Sequence, residues 1–371
     1  MMVVQWVLVA GGSLLAFGVV QLIYLSAVLS WGNTRTRGVA YYGLPPGARA
    51  RFKRQLRVHA FLLFPIMRLL GRPSRFTFAK GSFQHRGIAG PKGTCSEKSF
   101  AAADAYQAQP EDIFVATQMK CGTTWMQHVV YQILHRGNGD LVETGRTLYA
   151  VSPWLEAETS VPIGDAPLLG PERPSRVIKT HLPSTHCPFS PEAKYVYVAR
   201  HPVSCFASCA DFVAANLGAF APDLDRIEEW YCSEEWMWWG SWPAHVAGWW
   251  DLSQERENVL FVHFEEMKRD LAGVVNQVIE FLGVQPLTSD ENERVVAKCG
   301  FQYMQEHAEA FEMHPPHIMA VDAELFVRGS ADRHKDVDAA RRARLGSWSR
   351  KTLAGSAYPI DRFYPDLAEM T

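Results

Sequence analysis

The chain lacks the usual marks of a disulfide scaffold or a zinc module. Its seven cysteines, Cys95, Cys121, Cys187, Cys205, Cys209, Cys232 and Cys299, are odd in number and scattered, without a CxxC pair or finger spacing. A reducing compartment is the expectation. An excess of one charge is missing too: 37 Lys and Arg against 39 Asp and Glu leave a formal net charge of -2. No global field draws the chain onto nucleic acid, so any anion site must be local. The nucleotide pattern GxxxxGK[ST] is absent, which argues against Mg²⁺-dependent ATP or GTP hydrolysis through such a loop. There is no internal repeat and no low-complexity tract, and nothing in the sequence sets an oligomeric state.

The N-terminus lacks charge altogether: no charged side chain occurs in the first 34 residues. The run 3–31, VVQWVLVAGGSLLAFGVVQLIYLSAVLSW, exceeds the roughly 20 apolar residues that cross a bilayer. It has no Lys or Arg before it and is longer than the ~7 to 15 apolar residues of a cleaved signal peptide. Residues 1–34 are therefore read as a transmembrane anchor. Arg35, Arg37, Arg49, Arg51, Lys53, Arg54 and Arg57 follow, and cationic flanks stay cytoplasmic. A single-pass protein with its bulk facing the cytosol is expected. A second apolar stretch, HAFLLFPIMRLLG (59–71), is too short to span and is interrupted by Pro65 and Arg68. An interfacial helix and a helix packed on the main domain are both open. Residues 35–110 read as a basic linker and domain entrance, and 111–371 as one large domain.

Within that domain, DIFVAT (112–117), RVIKTHL (176–182), KYVYVAR (194–200) and NVLFVHFEEM (258–267) read as strands. TTWMQHVVYQIL (123–134) and DLAGVVNQVIEFLG (270–283) read as helices. Short apolar runs alternating with helices predict an α/β, P-loop-like three-layer fold, a central parallel sheet flanked by helices. Ligands in such sheets sit beyond the carboxyl ends of the strands. Lys120, Lys179, His181 and Arg200 all fall there. A strand turning through Gly122 into a helix presents free N–H groups and the positive end of the helix dipole, an anion site. Lys120 adds a charge, and Thr123 and Thr124 add hydroxyls. Alone, KCGTT is also compatible with an ordinary capped helix bearing an exposed Lys.

VATQMKCGTTW resembles the loop of sulfotransferases that use 3'-phosphoadenosine 5'-phosphosulfate (PAPS), where Lys-Ser-Gly-Thr-Thr-Trp holds the 5'-phosphosulfate. Lys120, Gly122, Thr123, Thr124 and Trp125 match. Cys121 stands for the Ser, and Gln118 and Met119 stand for an aromatic-Pro pair. YVARHPVSCFAS (197–208) resembles the segment for the 3'-phosphate, implying roles for Arg200 and Ser208. IKTHLP (178–183) resembles the segment carrying the catalytic base, implying His181. WGSW (239–242) and KCGFQYM (298–304) resemble adenine segments, implying Trp239, Cys299 and Phe301. FVRGSADRHKD (326–336) keeps Arg328 and Gly329 of a closing Arg-Lys-Gly and lacks the Lys. SPWLEAE (152–158) resembles a segment by the acceptor, implying Trp154. The resemblance covers about 111–336.

It implies in-line transfer of a sulfuryl group from PAPS to a hydroxyl, less readily an amine, of a small or amphiphilic acceptor, leaving adenosine 3',5'-bisphosphate. His181 would take the proton while Lys120 and Lys179 neutralise the leaving phosphate, with no metal needed. The membrane anchor makes a lipid-like acceptor plausible. An inactive nucleotide-binding membrane scaffold and a nucleotide kinase remain alternatives. Most of the six tryptophans in WMWWGSWPAHVAGWW (236–250), and His245 with them, are expected to be structural.

Overall fold

The structure is a computed structural model describing residues 2–29, 41–71, 76–313, 315–317 and 329–369. Arg35, Arg37 and Arg328 lie outside them. Helix α1 (Met2–Leu29) is largely exposed over Val4–Ile23 and touches α2 (Pro46–Gly71) near Gly18. Tyr41 and Tyr42 tie the start of this region to the domain through Glu312 and the Met313 carbonyl.

The stretch read as a linker is folded from residue 76. Strands β1 (Ser82–His85) and β2 (Ile88–Pro91) form an antiparallel hairpin, and helix α3 (Glu97–Asp104) follows. The hairpin turns on Arg86 at φ 48 and Gly87 at φ 86, the paired positive φ of a two-residue turn. Phe83, Ala89 and Phe100 enter the main core, and the Trp239 N–H donates to the Ala89 carbonyl at 2.8 Å. Four-residue strands give too short an alternation to stand out in sequence, which is why the segment read as mixed.

The next elements are β3 (Asp112–Ala116), α4 (Thr123–Leu134), β4 (Arg176–Thr180), β5 (Lys194–Ala199), α5 (Pro202–Leu217), α6 (Trp242–Glu255) and β6 (Val259–His263). The four strands form a parallel sheet in the order β4-β3-β5-β6. Alternate residues of each strand bury opposite faces. Phe114, Ile178, Tyr195 and Tyr197 face α5 and α6, while Val115, Val177, Val196 and Val262 face α4 and α8 (Leu271–Leu282). The predicted three layers follow.

The fourth strand is shorter than expected. His263 and Glu266 form a capping box that stops it and starts α7 (Phe264–Arg269). Helices α9 (Ser289–Lys298) and α10 (Phe301–Glu306) precede the last long helix, α11 (Ala339–Leu353). Trp242 and Trp249 are fully buried, the latter stacked on Tyr197 at 5.4 Å. These tryptophans are core, as expected. α5 is apolar enough in composition to span a membrane, yet its buried face packs in the core beside Arg200.

Candidate active site

β3 lies between β4 and β5, so the chain leaves its neighbours in opposite directions and opens a crevice at their carboxyl ends. The loop after β3 fills it in an unusual backbone. Lys120 has φ 64 and Gly122 φ 101. A Cβ at Gly122 would lie 2.8 Å from the Phe264 ring, so the turn requires glycine for both conformation and space. No side chain caps α4 at Gly122, which leaves the first-turn N–H groups facing the crevice.

The positive φ at Lys120 turns its carbonyl to Arg200, whose Nη1 donates to it at 2.9 Å. Arg200 Nη2 donates to the Ser330 carbonyl at 3.0 Å and the guanidinium rests 4.4 Å from the Phe264 centroid. Its Nε is buried without a partner. Arg200 therefore joins the loop to the segment after Gly329 and keeps a donor in reserve. It does not pair with Asp211, which binds Arg333 at 2.6 Å. Ser208 stands half-buried on α5.

Two lysines and a histidine complete the candidate site. Lys120 Nζ sits 4.7 Å from the Phe212 centroid, and burial, reinforced by the Arg200 charge, pulls its pKa down to about 8. Lys179 Nζ lies 3.4 Å from the Trp154 centroid and 3.4 Å from the Tyr149 hydroxyl. Burial and the Lys120 charge pull it to about 7 against the pull of Glu156. His181 Nδ1 is 2.9 Å from the Thr117 carbonyl, which can only accept, so Nδ1 carries the hydrogen and Nε2 the lone pair. Burial, then the charge of Lys179, drives its pKa well below the ordinary value. The ring is neutral at physiological pH.

Trp154 meets the His181 ring edge-on at 5.2 Å and Trp239 lies 4.9 Å from it. This differs from the sequence expectation for Trp239. Its ring packs on His181 and Trp154, whereas the other adenine candidates assemble elsewhere. Trp125 Nε1 donates to the Cys299 carbonyl at 2.8 Å, and Lys268 Nζ is 5.6 Å from both the Trp125 and Phe301 centroids. Gly329 lies flat on Phe301, with no room for a Cβ. At Trp239, φ 62 and the backbone bond to Ala89 turn the ring to the histidine side. Thr123 and Thr124 hydroxyls meet Thr117 Oγ1 at 2.6 Å and Tyr149 OH at 3.1 Å. The Cys121 thiol is turned inward, 3.6 Å from Cys205 Sγ, and burial raises its pKa, so only its backbone faces the crevice.

Sequence reasoning missed the supports. Glu156 Oε1 accepts from the His181 N–H at 2.8 Å and Oε2 from the Thr180 hydroxyl at 2.9 Å. His245 Nε2 donates to the His181 carbonyl at 2.9 Å while its Nδ1 accepts from Tyr197 OH at 2.9 Å. His245 is structural, as expected, but what it holds is His181. A charge inside SPWLEAE was the available signal for Glu156. Nothing local marked Tyr149, Phe264 or Lys268. Among the described residues, His201, His334 and Asp366 are spaced as metal ligands are. Ser204 N–H donates to His201 Nδ1, so its Nε2–H points at Asp366, 3.1 Å away, and the cluster is satisfied as a hydrogen-bonded clasp.

A model of the sulfotransferase domain matches residues 110–356. Rat sulfotransferase 1C2 is 30% identical over 216 residues, 56% of this chain and 71% of its own. Guinea pig (Cavia porcellus) 3-alpha-hydroxysteroid sulfotransferase is 27% identical over 267 residues, 71% of this chain and 85% of its own. Mouse sulfotransferase SULT7A1 complexed with PAP superposes with a TM-score of 0.58 at 19% identity, over 78% of this chain and 99% of its own. Retinol dehydratase in a complex with retinol and PAP gives 0.58 at 20% identity, over 76% and 95%.

Proposed function

The chain belongs to the sulfotransferase family and is a sulfotransferase enzyme, and from that premise we propose that it transfers the sulfuryl group of PAPS to a hydroxyl, less readily an amine, of a small amphiphilic, lipid-like acceptor. The observation that carries the donor assignment is the cradle of two cations and an uncapped helix around Gly122, with the unpartnered Nε of Arg200 buried beside it. Neighbours crystallised with PAP support it. PAPS supplies a transferable sulfuryl group on a phosphate leaving group. Lys120, the α4 N–H groups, Thr123 and Thr124 hold the 5' side. Arg200, Ser208 and the segment of Gly329 suit the 3'-phosphate, since a guanidinium fork and hydroxyls match a terminal phosphate. Trp125 and Phe301, 5.6 Å either side of Lys268, suit a planar base.

As the acceptor oxygen bonds to sulfur and the sulfur–oxygen bond to the 5'-phosphate breaks, His181 Nε2 takes the acceptor proton. Lys120 and Lys179 offset the charge left on the phosphate oxygen. Trp154 and Trp239, walling His181, suit an apolar acceptor body. The guinea pig relative is named for a hydroxysteroid, an acceptor of that character. We read α1 as the anchor that keeps the domain at the bilayer, on the cytosolic side; protease protection of the domain in sealed vesicles would refute that side.

The test is calorimetric titration of the detergent-solubilised chain with adenosine 3',5'-bisphosphate in EDTA. Tight binding that is lost in Lys120→Ala and Arg200→Ala is expected. No binding, or binding that requires Mg²⁺, would refute the donor assignment and favour a kinase or an inactive scaffold.

A further inference from the structure

α2 has two unlike faces. On one, Leu56, Leu63 and Met67, with half-buried Phe52, Ala60 and Ile66, pack with Leu22 of α1 and with Phe220, just beyond α5. On the other, Arg51, Arg54, Val58, Phe61, Leu62 and Leu69 share a single stripe at helical spacing, and all are exposed. Phe61 is 79% and Leu62 65% exposed. The stripe is cationic in its first turns and apolar in its last, where exposed Arg68 borders it. No Asp or Glu precedes Glu97 in the chain, and the acidic residues that reach α2 from the domain, Glu309 and Glu312, pair with Lys53.

The apolar half of the stripe does not stand alone. Ile66 and Leu63 reach Gly18 of α1, and α1 exposes Leu14, Leu15, Phe17, Val20 and Ile23 around that contact. That contact uses the packed face of α2, so both helices keep apolar side chains exposed on either side of it. We infer that α2 lies along the headgroup boundary of an anionic bilayer, with Val58, Phe61, Leu62 and Leu69 among the acyl chains and Arg51 and Arg54 at the lipid phosphates. The inference shares with the proposed function the reading of α1 as an anchor. It adds a second, orienting attachment.

That attachment has a functional address. Residues 41–71 dock on the domain beside the crevice: Tyr42 stacks on Tyr149 at 6.4 Å, and Tyr149 OH faces Thr124 and Lys179. Gly71 abuts Ala219, beyond the end of α5. A helix in the interface would hold the catalytic crevice at a set height and orientation above the lipid. The acceptor class that fits is an amphiphile whose hydroxyl lies at headgroup level.

The test places nitroxide labels on the full chain in vesicles of phosphatidylcholine and phosphatidylglycerol. Six native cysteines are buried; Cys232→Ser removes the half-buried one. Labels go on Phe61→Cys, Leu62→Cys, Leu8→Cys in α1 and Glu234→Cys on the domain surface. We expect collision with oxygen to exceed collision with a water-soluble nickel chelate severalfold at positions 61, 62 and 8, and the reverse at 234. Positions 61 and 62 behaving like 234 while 8 stays shielded would overturn the inference and leave the anchor standing. Position 8 exposed to the chelate with 61 and 62 shielded would sink the anchor and uphold the interfacial helix. Dipolar broadening between labels at 61 in two copies would assign the face to self-association and overturn the bilayer.

Discussion

Binding of adenosine 3',5'-bisphosphate should take up protons above neutral pH. Burial, with the Arg200 charge, holds Lys120 at about 8, and burial, with the Lys120 charge, holds Lys179 at about 7 in the free protein. A bound anion favours the charged ammonium and returns both toward their ordinary values. At pH 8 Lys120 is half protonated and Lys179 about one-tenth, so restoring both takes up about half a proton and about nine-tenths, roughly 1.4 in all. The sign follows: affinity falls as pH rises. From these populations it weakens about 50-fold between pH 8 and 9, a range in which the ligand's phosphates, with a second pKa of about 6, are already fully ionised. Calorimetry at pH 8 in buffers of different ionisation enthalpy measures the uptake directly. The larger share should vanish in Lys179→Met and the smaller in Lys120→Met. Uptake near zero in the wild-type protein, or unchanged in both variants, would refute the argument that these lysines face the phosphates.

Other outcomes follow from the same geometry. His181→Ala should retain bisphosphate binding and lose ~10²-fold or more in kcat, as removal of a general base does, with single-turnover sulfation of a model alcohol as the assay. Because His181 is already neutral, wild-type kcat should show no acid limb at pH 6.5 or above, and a limb there would contradict the depressed pKa. Arg200→Ala should lower the preference for the bisphosphate over its 3'-dephosphorylated analogue, measured as a ratio of Kd values; an unchanged ratio contradicts the 3' assignment. Gly122→Ala forces a Cβ to 2.8 Å from Phe264 at φ 101, a strain of about 1 to 3 kcal/mol. Thermal denaturation should show a lower Tm, and an unchanged Tm would mean that the turn is more pliant than its geometry indicates.

The sheet was legible because β3, β4 and β5 are buried on both faces and read as unbroken apolar runs. The candidate positions at their ends, Lys120, Lys179, His181 and Arg200, were locatable for the same reason: a strand end is a place that a one-dimensional pattern can find. Two kinds of feature escaped. The hairpin at 82–91 is held by pairing with Trp238 and Trp239, some 150 residues away, and its four-residue strands have no lasting period. The orientation of Trp239 depends on a positive φ and a distant carbonyl, so family position suggested adenine where the fold points the ring at His181. Glu156 and His245 hold the backbone N–H and carbonyl of His181, and no spacing rule marks a residue that positions another.

The crevice draws on β3, β4, β5 and the segment after Gly329, so its parts are spread over some two hundred residues and meet only when the sheet is complete. Ligand affinity is therefore a reporter of integrity for the whole domain. A ligand at 100 times its Kd adds about 2.7 kcal/mol to the stability of the state that binds it. Once calorimetry has demonstrated that the intact chain binds bisphosphate, a later preparation whose melting point fails to rise with it contains an incompletely assembled sheet, whatever its helical content. For a protein handled in detergent, that makes the nucleotide both a probe of quality and a chaperone during purification.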